Sequence, residues 1–204
     1  MDVREKILRE ASGLFFQMGI KRVKMDNIAQ RLKISKRTIY ENFKDKDSLI
    51  RETIDLNNKE QISLNNKILT ESENIIEAVL TLLKNGSEML SQINPGFYKD
   101  LQRLYPKIWK EKIQESKIHS HQLIMELLKK GKDQGIYMKY INEDIIALIL
   151  IEQLFMLSDQ SIFPASKFSI VEVYENIIIS MTRGVATAKG LKLLEEYQHT
   201  KKPE

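Results

Sequence analysis

Hydrophobic positions along the chain recur mainly with the period of a helix. Ile7, Leu8, Ala11, Leu14, Phe15 and Met18 fall three and four apart with charged residues between them. They predict a first helix with Asp2 as its cap and Gly19 stopping it at the C′ position. A short second helix is predicted from about Asp26 to Leu32, burying Ile28, Ala29 and Leu32. After a break at Lys33-Ile34, Ser35 is placed to cap a third short helix that runs to about Asn42 and buries Ile39, with Phe43 just beyond. A fourth helix opens near Asp45, contains Leu49, Ile50 and Ile54, and continues past residue 60.

Longer helices follow. One is predicted from roughly Ser72 to Gln92, carrying Ile75, Ile76, Val79, Leu82, Leu83 and Leu90. Asn94-Pro95-Gly96 breaks the pattern, and Pro106 reads as a helix-start proline. The next helix runs from there to about Gln134, with Gly131 and Gly135 weakening or ending it. The last two long helices are expected near 142–158 and 168–188, separated by a loop around Pro164, and the chain from about Tyr197 reads as a loose tail. There is no internal repeat or low-complexity tract.

Composition sharpens this picture. In 204 residues there are 8 Gly and 4 Pro, about half the usual share, so breakers are scarce and long helices are favoured over short strands. Hydrophobic residues make up 42% and charged residues 29%, the balance of a folded chain. Cys is absent from the sequence, which removes disulfide frameworks, thiol nucleophiles and Cys-based zinc sites. The first residues, Met1-Asp2-Val3-Arg4-Glu5-Lys6, are charged and lead into no apolar signal-like segment. The longest apolar run, Ile145 to Ile151, is far short of the roughly 20 residues of a membrane span. A soluble, cytoplasmic protein with no membrane partner is expected.

The net charge of +4 is unevenly placed. Residues 1–50 hold 12 Lys/Arg against 7 Asp/Glu, whereas the remainder holds 20 against 21. From Lys21 to Lys46 there are nine basic residues and three acidic. Such asymmetry points to a polyanionic partner for the N-terminal part.

Two short helices joined by a tight turn inside that basic stretch make a helix-turn-helix. Ile39 and Phe43 lie within about 40° of one another on a helical wheel and face the core. Arg37 and Glu41 fall opposite, with Lys36 and Tyr40 flanking them. This outer face offers long donors and an aromatic hydroxyl, the groups that bond base edges and phosphates in a major groove. Thr38 adds a hydroxyl. Lys46, at the start of the fourth helix, is placed to meet a phosphate through its own charge and the helix N-terminus. Glu41 reads either as an acceptor for a cytosine amino group or, by the i,i+4 rule, as the partner of Arg37.

Arg4, Ile7, Leu8, Ala11, Leu14, Phe15, Gly19, Ile28, Ala29, Ile34, Ser35, Thr38, Ile39, Tyr40, Phe43, Lys46 and Leu49 together resemble the N-terminal signature of TetR-type transcriptional regulators. The stretch Ser35-Lys36-Arg37-Thr38-Ile39-Tyr40, followed by Phe43 and Lys46, is its strongest part. The resemblance covers about the first 50 residues. It implies that Lys36 and Arg37 approach bases, that Thr38, Tyr40 and Lys46 hold phosphates, and that Asn42 contacts backbone or bases. Two positions depart from the pattern: Lys33 stands where the turn usually has Gly, and Ile20 where an aromatic is common. A left-handed Lys33 would cost about 1 kcal/mol.

Chemistry of other kinds finds little support. His119 and His121 are about 200° apart on a helix, so they cannot share a metal facially, and His199 is in the tail. No metal site or cofactor is expected. No G-x-S-x-G, Walker loop, GxGxxG or HExxH motif is present, so enzyme activity has no basis in the sequence. Phe97, Tyr98, Leu101, Tyr105 and Trp109, with Phe155, Met156 and Phe163 further on, are candidates for lining an apolar effector pocket or, more plainly, for core packing. Gln102 and Arg103 are candidates for its polar contacts. The family's larger domain binds a small effector at a comparable place.

The run Ile145–Ile151 is apolar all round, so its helix needs cover on more than one side. Ile170, Val171, Val173, Tyr174, Ile177, Ile178, Ile179 and Met181 repeat that pattern. A two-fold partner would supply the cover, with Ile145, Ile149, Ile177 and Met181 at a four-helix interface.

The expected architecture is all-α: a three-helix helix-turn-helix domain over residues 1–46 and a C-terminal helical bundle over 47–204 that binds effector and dimerises, linked by the fourth helix. The expected function is sequence-specific binding of double-stranded DNA as a homodimer at a palindromic operator, with repression responsive to a small molecule. The alternative is a basic helical protein that binds an acidic partner or an anionic membrane surface without reading sequence.

Overall fold

A computed structural model describes residues 2–159 and 161–200, with side chains to Tyr197. Among these residues the chain forms α1 (Val3–Met18), α2 (Met25–Leu32), α3 (Lys36–Asn42), α4 (Lys46–Glu71), α5 (Ile75–Gln92), α6 (Gly96–Leu104), α7 (Pro106–Asp133), α8 (Glu143–Met156), α9 (Ile170–Val185) and α10 (Ala188–Thr200). The only β-type pairing among them is an isolated antiparallel bridge between Tyr137 and Ala186. The fold is all-α, as the periodicity requires. Two compact units divide it, residues 1–63 with 92–116, and residues 64–91 with 117–204.

Local chemistry sets the helix ends of the first unit. Asp2 Oδ1 accepts from Glu5 N at 2.7 Å, and Ser35 Oγ accepts from Thr38 N at 3.0 Å. Asp45 and Ser48 cap each other: Ser48 N donates to Asp45 Oδ1 at 2.7 Å and Asp45 N to Ser48 Oγ at 3.2 Å. Gly19 closes α1 with φ 81°, a value that favours glycine. Lys33 closes α2 in the left-handed region, φ 55° and ψ 40°. Its strain is offset by a hydrogen bond from Ile34 N to Ala29 O at 3.0 Å, which ends α2 and turns the chain into α3.

The core of this unit gathers Ile7, Leu8, Ala11, Leu14 and Phe15 of α1 around Ile28 and Ala29 of α2, Ile39 of α3, Phe43, and Leu49 and Ile50 of α4. Ile20 is fully buried in it, so an aliphatic side chain serves as core at that position. Leu32, expected to be buried, is only partly so and packs on the rim.

The second unit has its own core, built on Ile75, Ile76, Ile124, Leu128, Ile136, Ala147, Ile151 and Leu194. Three features depart from the expected pattern. Residues 96–104, read only as part of a break, form α6, because Asn94 Oδ1 accepts from Gly96 N at 2.8 Å and starts a new helix. Gly131 lies inside α7 rather than ending it. A Cβ there would stand 2.2 Å from the Tyr137 ring, so the glycine makes room for that buried aromatic, and Gly135, φ 66°, provides the actual turn. The helix expected over 168–188 stops at Val185. Met138 N donates to Val185 O at 2.9 Å and Thr187 N to Ile136 O at 2.8 Å; this short extended pairing separates α9 from α10. Residues 201–204, within the expected tail, lie outside the described residues, as does the side chain of His199.

Replacing Lys33 by Gly removes left-handed strain from a residue with no buried side chain. The first unit should gain about 0.5–1 kcal/mol, seen as a higher urea midpoint at unchanged slope.

Candidate nucleic-acid interface

α3 is seven residues long and does not stand alone. Ile39 is fully buried and Phe43 nearly so, and burying two such side chains is worth about 1.5–3 kcal/mol each. Arg4 stacks its guanidinium 4.7 Å above the Phe43 ring and pairs with Glu52 of α4. The inner face of α3 is thus clamped to α1 and α4, and its outer face is decided by exclusion.

On that outer face the Arg37 side chain is 87% exposed and Tyr40 46%. Arg37 Nε donates to Glu41 Oε1 at 2.8 Å, which resolves Glu41 as an intrahelical partner in the free protein. Lys36 Nζ lies 3.0 Å from Asp26 of α2, a pair that the spacing did not reveal because it joins two helices. The Asp26 carboxylate, by hydrogen bond and charge, raises the Lys36 pKa above its ordinary value. Exposed pairs of this kind contribute little stability and exchange readily for another anion.

Thr38 and Asn42 are half-buried. The Thr38 hydroxyl lies 2.8 Å from Ser35 Oγ, and Asn42 Nδ2 donates to Thr38 O at 2.8 Å. Asn42 therefore braces the helix with its amide nitrogen and keeps its carbonyl oxygen as an acceptor.

Lys46 has a role the sequence did not suggest. Its Nζ donates to Ile20 O at 2.7 Å and to Val23 O at 2.6 Å, and lies 5.8 Å from the centre of the Phe15 ring. The ammonium ties the start of α4 to the turn between α1 and α2, with one N–H left over. Burial pushes its pKa down, while Asp100 and Asp47 oppose that shift.

Of the expected effector residues, Phe97, Tyr98, Leu101, Tyr105 and Trp109 come together, but as packed core of the first unit. Phe16, Phe97, Tyr98 and Trp109 form a chain of rings with successive centroids 4.6, 5.3 and 6.3 Å apart. Burial raises the Tyr98 pKa. Phe155 belongs to the second unit, where Lys117 lies 5.1 Å over its ring. Gln102 is half-buried and Arg103 exposed.

The expected interface residues divide similarly. Ile145 and Ile149 are exposed on α8, and Leu148, 54% exposed, joins them. Ile177 and Met181 of α9 are partly buried, packed against core residues of their own unit. Among the described residues no three His, Asp or Glu side chains are grouped to hold a metal, and no helix is long and apolar enough to cross a membrane. His121 Nε2 lies 2.9 Å from Asp144.

The first helices thus form a basic helix-turn-helix whose second helix, α3, is anchored by its inner face and exposed on its outer one. Residues 7–53 match the family described as bacterial regulatory proteins, tetR family. No curated protein matches the chain in sequence. Its fold is similar to that of SCO4454, a TetR-family regulator from Streptomyces coelicolor, at 18% identity and TM-score 0.65, covering 90% of this chain and 96% of that one. It is also similar to reduced NemR from E. coli, at 15% identity and TM-score 0.73, covering 92% and 98%. A transcriptional regulator from Saccharomonospora viridis, solved with choline, is similar at 19% identity and TM-score 0.69, covering 90% and 97%. Residues 7–53 carry that family's sequence, and over 90–92% of the chain the fold is similar to that of such regulators.

Lys46→Met keeps the stem and deletes the charged donor. It should destabilise the first unit by about 1–3 kcal/mol, the cost of leaving two carbonyls unpaired, in thermal unfolding without DNA. Unchanged stability would show those two hydrogen bonds to be dispensable.

Proposed function

We propose that the protein is a ligand-responsive repressor that binds a palindromic operator as a homodimer. The observation that carries this reading is the outer face of α3, where Arg37 and Tyr40 stand exposed on a helix whose inner face is buried. Arg37, released from Glu41, reaches guanine edges, and Lys36, released from Asp26, lies beside it. Tyr40, Thr38 and the remaining N–H of Lys46 take phosphates, and Asn42 offers its oxygen to backbone or base. Residues 1–46 serve DNA binding, and residues 47–204 serve dimerisation and effector binding.

The dimer reading rests on α8. Ile145, Leu148 and Ile149 form an exposed apolar face on a helix whose opposite side, Ala147 and Ile151, is buried. A two-fold copy covers such a face with itself, and Ile177 and Met181 of α9 border it. Two recognition helices one DNA turn apart then enter successive major grooves. The choline in the similar Saccharomonospora viridis regulator supports a small-molecule effector. Acting through α4, it would shift the spacing of the two α3 helices. A coupling of about 1–3 kcal/mol changes operator affinity roughly 5- to 150-fold.

Selection from random duplexes should return a palindromic consensus, and Arg37→Ala should relax it at one base pair per half-site by about 1–3 kcal/mol. A protein that holds every duplex equally would reject the reading. In sedimentation, Leu148→Asp should convert the dimer to monomer, and a persistent dimer would place the interface elsewhere.

A further inference from the structure

A broad cleft of about 430 Å3 lies within the first unit, between the end of α1, the turn that follows it, and α6. Lys21 and Arg22 line it from the turn, and Lys99 and Arg103, one helical turn apart, line it from α6. Asp100 is the one carboxylate there, and its Oδ2 already accepts from the Lys21 backbone N–H at 2.7 Å. Among the described residues, no carboxylate stands within ion-pair distance of any of the four cationic heads. Elsewhere in the same unit Arg4, Arg9, Arg31, Arg51 and Lys112 each hold an acidic partner. Other lysines of the unit also stand outside ion pairs, but here four such cations share the lining of one cleft.

The floor beneath them is built. Asn94 donates from its backbone N to Phe16 O at 2.7 Å and from Nδ2 to Gln17 O at 3.2 Å, so α6 is tied to the end of α1. At Gly19 a Cβ would come within 3.1 Å of Asp100 Oδ2, which is how closely the two elements approach. The same turn is held on its other side by Lys46, through Ile20 O and Val23 O. The turn that lines the cleft is thus also fixed to the start of α4.

We propose that this cleft is a second phosphate-contacting surface, through which α6 and the turn after α1 grip DNA backbone beside the bases that α3 reads. The inference rests on the DNA-binding reading above and extends it to a helix outside residues 7–53. Two features favour a phosphate chain over another anion: four long cations without a carboxylate partner in one cleft, and a turn that is fixed to the start of α4. Such contacts add affinity by releasing counterions and carry no sequence information.

The test uses the full chain with two operator duplexes, one trimmed to the half-sites and one extended by about a helical turn on each side. An unrelated duplex of the longer length completes the set. On the extended duplex, Lys99→Gln/Arg103→Gln should bind more weakly, with a plot of log affinity against log salt shallower by about 2 per protomer. On the trimmed duplex it should match the parent, its selected consensus should be unchanged, and Lys99→Arg/Arg103→Lys should restore the slope. An unchanged slope on the extended duplex overturns the proposal, as does equal loss on both lengths. Should the parent show no sequence preference, the slope on the unrelated duplex decides. A shallower slope there keeps the cleft as a phosphate surface while rejecting the operator reading, and an unchanged slope rejects the cleft. Stronger inhibition of the parent than of the variant by inorganic phosphate at constant ionic strength, with no slope difference on DNA, would assign the cleft to a free anion and overturn the proposal.

Discussion

The burial of Ile39 and Phe43 against α1 is the constraint on which the rest depends. A seven-residue helix gains too few backbone hydrogen bonds to persist alone, so its existence and its rotation are both set by these two side chains. Once they are inside, Arg37 and Tyr40 have nowhere to point but outward. The left-handed Lys33 and the paired carbonyls of Ile20 and Val23 serve the same end. Each holds a turn in the single conformation that lets α2, α3 and α4 share one core.

Charge is handled in two ways on this unit. On α3 the long cations are held by nearby carboxylates, Lys36 by Asp26 and Arg37 by Glu41. Those pairs are exposed and yield easily, because solvent already screens them. Along α6 and the turn after α1 the cations have no such partners, and only the backbone beneath them is fixed. A rigid floor with free charges suits an anion of repeating, variable geometry, whereas restrained charges suit a defined donor pattern.

In the second unit the close approach of backbone to side chain governs connectivity. The Tyr137 ring packs against Gly131, and residues 136–138 pair with 185–187. Together these end one helix and begin another where periodicity alone runs straight through. The apolar belt of α8 is used only in part within the chain: Ala147 and Ile151 turn to the core, while Ile145, Leu148 and Ile149 stay outside.

The residues alone determined the all-α class, the caps Asp2 and Ser35, the stop at Gly19 and which side chains of α3 share a face. All of these follow from contacts within four or five residues, where period and side-chain chemistry leave few alternatives. Tertiary structure alone decided what depends on distant partners. It placed Lys46 on the carbonyls of Ile20 and Val23, made core of Phe97, Tyr98 and Trp109, joined Lys36 to Asp26, and gathered Lys21, Arg22, Lys99 and Arg103 into one cleft. Linear spacing says which face of a helix a residue occupies. What that face meets is set by long-range packing, and a pattern read at 3.6 residues per turn carries no record of it.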